Sequence, residues 1–320
     1  MKAENDELGE PAILQWLWDA ITEPVLAALG YTHTPHDKWP HIWWVPTGLL
    51  IKFPLHAAGY HDCGTGQTVI DRVMSSYSPS IKAMIQNRRR PQKPSSVGHA
   101  LLVAMEFTPG ESNLPCASRE VDIVRSICPS MSLVPVAPAP YKSDIESLLQ
   151  VCQIFHFAGH AHMDKSDPSM SYLVLEDGDS NPLTVGNLFE INIRESSPFL
   201  AYLSACGTGR IDDERFMDES IHLNSAFQLA GFRHVIGSLW DVIDDTCLHM
   251  AKIIYGRIRD GGMTDESVCR GLHDATRTLR DRWQQSSIRT RSQRGLTRDI
   301  NPVGEDIPSL DWVPYVHFGV

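Results

Sequence analysis

The sequence has no uninterrupted apolar stretch of the about 18 residues that a membrane-spanning helix needs. Its most apolar segment, HIWWVPTGLLIKF (41–53), is broken by Pro46, Gly48 and Lys52. The opening MKAENDELGEP is acidic and polar where a secretory leader would be basic and then apolar. The seven cysteines are an odd number and contain no CxxC pair. That argues against a disulfide framework or a structural zinc knot and for free thiols in a reducing compartment. The expectation is a cytoplasmic protein with no membrane segment. Basic charge is scarce as well: 28 Lys and Arg against 39 Asp and Glu give a net charge of −11, which argues against nucleic acid as a partner. No GxSxG element occurs, so a serine-hydrolase elbow is not expected. GTGQT (64–68) lacks the Lys and the spacing of a phosphate-binding loop. The basic clusters NRRRPQK (87–93) and RTRSQRGLTR (289–298) have no interleaved aromatics and read as solvated surface.

What the chain does have is a regular alternation of buried-strand and helix patterns. Its 320 residues, 42% hydrophobic and 21% charged, suffice for a substantial core. Residues 12–29 have helical periodicity and stop at Gly30. IWWVPTGLLI predicts two short strands around a Pro-Thr-Gly turn, DRVMSSY another strand and SIKAMIQNRRR a short helix. From about residue 97, the near-continuous apolar runs GHALLVAMEF, VCQIFHFAG, SPFLAYLSAC and HVIGSLW predict strands buried on both faces, with SLVPV and SYLVLED as shorter ones. ASREVDIVRSIC, KSDIESLLQ, DESIHLNSAFQLAG and the spans 243–259 and 264–283 predict helices, with Ser143 and Glu146 as a capping box. Residues 284–310 are polar and read as a mobile loop, and WVPYVHFGV as a last strand. Strands alternating with helices imply a mainly parallel α/β sheet covered on both faces. Residues 1–40 read as an N-terminal helical extension and 41–320 as the main domain.

In open α/β sheets, reactive groups gather at the carboxyl ends of the strands. CQIFHFAGH runs into His160 and FLAYLSAC into Cys206. If those strands are parallel neighbours, both side chains emerge at one edge. A thiolate nucleophile needs a nearby base, which His160 could supply before it protonates a leaving amine. The small residues Gly159, Ala161, Ala205 and Gly207 leave main-chain N–H groups open to a substrate carbonyl. The competing reading of any one cysteine is core filler.

A series of blocks in order carries a family resemblance: VPTGLLIKFPLHAAG, SYSPSI, CASREVDIV, QIFHFAGHAHMDKSDPSMSYLVLED, LTVGNLF, PFLAYLSACGTG, AFQLAGFRHVIGSLWDVIDD and WVPYVHFGV. They resemble the CHAT-domain family of caspase-like cysteine peptidases, related to caspases and separases, from about residue 40 onward. The resemblance implies a caspase-like three-layer αβα sandwich with a mainly parallel central sheet and an N-terminal helix/β extension. It implies a cysteine endopeptidase working through a His160–Cys206 dyad, with an oxyanion held by the N–H groups of Ala161 and Cys206. The two residues stand 46 apart, near the roughly 50 by which histidine precedes cysteine in caspases. His156 would then be a core residue of its strand and His162 a loop residue. The family usually has Gly directly after the histidine, where this chain has Ala161.

Such chemistry needs no metal or organic cofactor, and the partners expected are a protein or peptide substrate and a regulatory protein. Asp212, Asp213, Asp241 and Asp244 follow strands at the same edge. As pocket acids they would favour Lys or Arg before the cleaved bond; as a helix-N-terminal charge run they would be solvated. Two further readings stand beside the peptidase: a catalytically latent or inactive CHAT-type interaction domain, and a zinc-dependent hydrolase using HAHMD (160–164).

Overall fold

The computed structural model describes residues 6–62, 66–90, 98–108, 110–164, 167–191, 193–205, 223–294 and 310–320. The apolar runs become the middle of one sheet: β3 (Gly98–Ala104), β5 (Cys152–Gly159), β9 (Leu200–Ala205) and β10 (His234–Ser238), with every residue of β9 and β10 buried. β1 (His41–Trp44), β2 (Met74–Tyr77), β4 (Leu133–Val136) and β11 (Tyr315–Phe318) complete it. Among the described residues the sheet has eight strands in the order β1-β2-β11-β10-β9-β5-β3-β4. Every pairing is parallel except β10 with β11. The strands of the N-terminal third are therefore one wing of the main sheet, joined to it through the last strand of the chain.

Alternation along each strand sends side chains to two layers. On one face, Leu102, Ile154, Tyr202 and Ile236 meet α4 (Ala117–Ile127), α8 (Asp244–Asp260) and α9 (Asp265–Arg294) through Val121, Val124, Met250, Ile254 and Leu272. On the other, Leu101, Val103, Phe155, Phe157 and Val235 meet α1 (Pro11–Leu17), α2 (Glu23–Ala28), α5 (Lys142–Leu149) and α7 (Leu223–Ala230). α3 (Ile81–Arg89) and α6 (Val185–Glu190) lie between strands along the chain. A small antiparallel sheet, β6 (Ala161–His162), β7 (Tyr172–Leu173) and β8 (Leu183–Thr184), follows β5.

Four local expectations change. The helix over 12–29 is interrupted by a π-turn at Trp18–Thr22, because Pro24 has no N–H to donate back into the preceding turn. GLLI forms no second strand: Gly48 takes a left-handed φ of 55° and the chain tightens into a 3-10 turn, Gly48–Lys52. Ser143 and Glu146 form no capping box, since the N-cap of α5 is Tyr141, two residues earlier, and the N–H of its first residue, Lys142, reaches the carboxylate of Asp177 at 3.3 and 3.4 Å. A capping box stands instead at Thr184 and Asn187. α9 continues through residues 284–294, part of the stretch read as a loop; the remainder, 295–309, lies outside the described residues. The basic segment before residue 91 is tied down within the molecule, with Arg88 4.2 Å over the Trp43 ring and Arg90 donating to the carbonyl of Gly231 at 2.9 Å.

A buried ion pair links α9 to the N-terminal wing. Arg280, 4% exposed, donates to both carboxylate oxygens of Asp71 at 2.9 and 2.8 Å, while the Thr68 hydroxyl donates to the same carboxylate at 2.7 Å. Burial by itself raises the Asp71 carboxyl, but the hydrogen bonds and charge of Arg280, with help from Thr68 and Arg277, hold it below its ordinary value of 3.8. Removing one partner of such a pair strands a buried charge. Arg280→Ala is expected to cost about 3–5 kcal/mol in urea unfolding at neutral pH. A carboxyl lowered in the folded state stabilises above its unfolded value and loses that stabilisation as pH falls below it. The gap between wild type and Arg280→Ala should therefore narrow under acid; a gap unchanged at pH 3 would contradict the pairing.

Candidate functional site

The β5–β9 pairing is parallel from Ile154↔Leu200 to Gly159↔Ala205, so both strands open at the same sheet edge. His160 is the next residue after β5 and is 8% exposed. Its Nε2 lies 2.7 Å from the carbonyl oxygen of Ser112. A carbonyl only accepts, so the proton sits on Nε2 and the neutral ring keeps its lone pair on Nδ1. The segment carrying Ser112 connects β3 to α4 and is fastened by Glu111 N–H to the Thr108 carbonyl (3.1 Å) and Leu114 N–H to the Glu106 carbonyl (3.0 Å). Gly159 is small for a packing reason: a Cβ there would come within 2.9 Å of Met105 Cβ and within 2.7 Å of the Phe157 ring.

Ala161 opens β6 and pairs with Leu173 of β7. The Val174 N–H donates to the His160 carbonyl at 2.9 Å, just outside that pair. In an antiparallel ladder this makes Ala161↔Leu173 a pair without mutual hydrogen bonds, and the Ala161 N–H is turned away from β7. Cys206, Asp212 and Asp213 lie outside the described residues. Asp241 follows β10 and is exposed, so an attraction from it is screened by solvent. Asp244 is the first residue of α8. His156 is fully buried, stacked on Tyr202 (4.9 Å between ring centroids) with Nδ1 3.1 Å from the Tyr255 hydroxyl. His162 is exposed against the Tyr172 ring. Among the described residues, His160, His162 and Asp164 of HAHMD do not come together as a metal-binding group.

Glu120 belongs to no motif. Glu120 lies on the apolar face of α4 with Ala117, Val121 and Val124 and is 1% exposed. The Ser204 hydroxyl donates to its Oε2 at 2.9 Å. Its Oε1 stands 3.3 Å from His156 Nε2, and neither atom makes a hydrogen bond. Glu120, Ser204, Gly159, Ala205, Leu114 and Val242 line a narrow cleft of about 20 Å³, room for about one water, at the open edge of β5 and β9. Burial first, then the Glu120 charge, push the Tyr202 phenol well above its ordinary range. The signal was present in the sequence: a carboxylate at an apolar-face position of an amphipathic helix is rarely buried without a partner.

Comparison with known proteins agrees with this layout. A family model described as CHAT domain matches residues 11–319. The chain matches no curated protein. Among solved structures it is similar to the Arg-specific cysteine proteinase gingipain R, at 12% identity and a TM-score of 0.58, over 94% of this chain and 67% of that one. It is also similar to the complex of the pro- and mature domains of RgpB of Porphyromonas gingivalis, at 12% identity and a TM-score of 0.56, over 94% and 70% of the two chains. The third similarity is to the separase–securin complex of Saccharomyces cerevisiae, at 13% identity and a TM-score of 0.53, over 89% of this chain but 16% of that one. At these identities the likeness is one of fold. Because the family match runs through both strand ends and through the wing that β11 joins to them, the chain belongs to the CHAT-domain family, with a caspase-like mixed α/β fold.

Proposed function

We propose that the protein is a cysteine endopeptidase in which His160 and Cys206 act as a dyad. The observation that carries this reading is the hydrogen bond from His160 Nε2 to the Ser112 carbonyl, which leaves Nδ1 as the basic nitrogen at the edge where β9 leads into Cys206. In the proposed reaction, Nδ1 takes the thiol proton and the thiolate attacks the scissile carbonyl carbon. The oxyanion is held by the N–H of Ala161, which is not spent on β7, and by that of Cys206. The imidazolium then protonates the leaving amine, and water hydrolyses the thioester that remains. No metal enters these steps.

The buried Glu120 carboxylate under the β5–β9 edge supports a preference for Lys or Arg before the cleaved bond, with the cleft of about 20 Å³ widening to admit the side chain. Glu120 offers a carboxylate with one oxygen outside any hydrogen bond, in surroundings that weaken solvent screening. It is better placed for this role than the exposed Asp241. The name of gingipain R describes an Arg-specific proteinase, and that preference is taken for this chain only as part of the proposal. A second reading, a latent domain opened by a regulatory protein partner, is favoured by the size of the cleft, about 20 Å³, far below ordinary ligand pockets.

Wild type incubated with a proteome-derived peptide library is expected to yield new N-termini, read by mass spectrometry, that vanish in Cys206→Ala and in His160→Asn. Cuts that persist in both folded variants would overturn the dyad. Folded wild type that makes no cut would favour the latent reading. For specificity, Glu120→Gln should lower the kcat/KM ratio of Arg over Ala substrates by roughly tenfold, the equivalent of about 1.4 kcal/mol. An unchanged ratio would remove Glu120 from the pocket.

A further inference from the structure

The other wing of the sheet holds a second cluster of reactive side chains that the peptidase reading does not use. His41 on β1, Ser76 on β2, His317 on β11 and Cys269 on α9 meet there, with Ser76, His317 and Cys269 buried. His41 Nε2, His317 Nδ1 and Cys269 Sγ all lie within 4.8 Å of one another, and the His41–Cys269 separation is 3.2 Å. The Ser76 hydroxyl stands between them, 2.6 Å from each of the two imidazole nitrogens and 3.6 Å from the sulfur.

Behind His317 runs a relay that fixes its tautomer. Both carboxylate oxygens of Asp265 are held by Arg233 at 2.6 Å, and Oδ1 also accepts from His234 Nε2 at 2.9 Å. His234 must therefore carry its proton on Nε2, so its Nδ1 accepts from His317 Nε2 at 3.0 Å. His317 is left with its lone pair on Nδ1, which accepts from the Ser76 hydroxyl at 2.6 Å on the side of Cys269 and His41. A ligating imidazole that gives its other N–H to a carboxylate, here through one intervening histidine, is the usual support for a metal ligand. The backbone makes room for the relay: a Cβ at Gly319 would run into the rings of both His317 and His234.

We propose that His41 Nε2, His317 Nδ1 and Cys269 Sγ bind one zinc ion, with water or the Ser76 hydroxyl in the fourth position. Two imidazoles and a thiolate are a donor set that suits zinc. Tetrahedral zinc with ordinary bond lengths needs these donors about 3.3–3.6 Å apart, a spacing reached when Ser76 gives up its bridging position. On binding, the Cys269 S–H proton is released to solvent and the sulfur binds as thiolate, while the His41 ring proton passes from Nε2 to Nδ1 so that Nε2 presents its lone pair to the metal. A groove lined by Trp39, His41, Arg88, Arg233 and Asp265 provides a route in from solvent. The ion would cross-link the first strand, the last strand and the long helix, which lie far apart in the chain.

The test uses the full chain, stripped of metal by chelation and dialysis and titrated with Zn(II) or Co(II). The expected result is one equivalent bound, a thiolate-to-cobalt charge-transfer band, and a thermal midpoint that rises with free zinc as mass action requires. The band should be lost in Cys269→Ser, weakened in His41→Asn, and unchanged in Cys206→Ser, which leaves the cluster intact. Wild type that binds no stoichiometric metal would overturn the proposal and leave the cluster a closed hydrogen-bond chain ending on Asp265. So would a band that survives in Cys269→Ser or disappears in Cys206→Ser. Wild-type stoichiometry decides the first of these outcomes even if a variant fails to fold.

Discussion

The parallel pairing of β5 with β9 is the constraint on which the rest of the molecule depends. Six consecutive partners, ending at Gly159↔Ala205, bring two strand ends to one edge although 46 residues separate His160 from Cys206. Parallel strands need covered faces, and here the covering layers are α4, α8 and α9 on one side and α1, α2, α5 and α7 on the other. The same helices then furnish the edge. α4 brings in Glu120, the segment before it brings the Ser112 carbonyl, and the residues after β10 bring Val242. Packing demand and site geometry are thus met by the same elements.

Among the described residues, two sets of polar groups buried in this sheet stand apart. Beneath the β5–β9 edge, Glu120, His156, Ser204, Tyr202 and Tyr255 surround one another between β5, β9, α4 and α8. In the opposite wing, His41, Ser76, His317, His234 and Asp265 form a chain with one direction of proton donation, fixed by the Arg233–Asp265 pair. Buried polar groups are costly unless satisfied. Each set is held by elements distant in sequence, so each forms only when the full sheet is assembled.

Much of this was legible in the sequence because strands buried on both faces must be apolar nearly throughout. HFAG and LSAC stand out against that background, and the parallel pairing of the strands that carry them, through Gly159↔Ala205, follows the same logic. Local exceptions were harder to read. Pro24 imposes a π-turn that periodicity does not show, and Gly48 turns a strand-like GLLI into a 3-10 turn. The cap of α5 comes from Asp177, far along the chain, where the sequence offers Ser143. Glu120 was hidden among apolar helix positions, and the His41–Ser76–His317–Cys269 cluster was invisible because its members come from four elements with no common motif. Non-local polar contacts leave no periodic trace.

The measurement that tests the central claim most directly is covalent trapping of the dyad. Wild type and His160→Asn would be treated with a peptidyl acyloxymethyl ketone ending in arginine, then read by intact mass and peptide mapping. The account predicts a single adduct on Cys206 in the wild type, formed far more slowly when His160 is replaced. An adduct on another cysteine, or labelling of Cys206 at the same rate without His160, would contradict it.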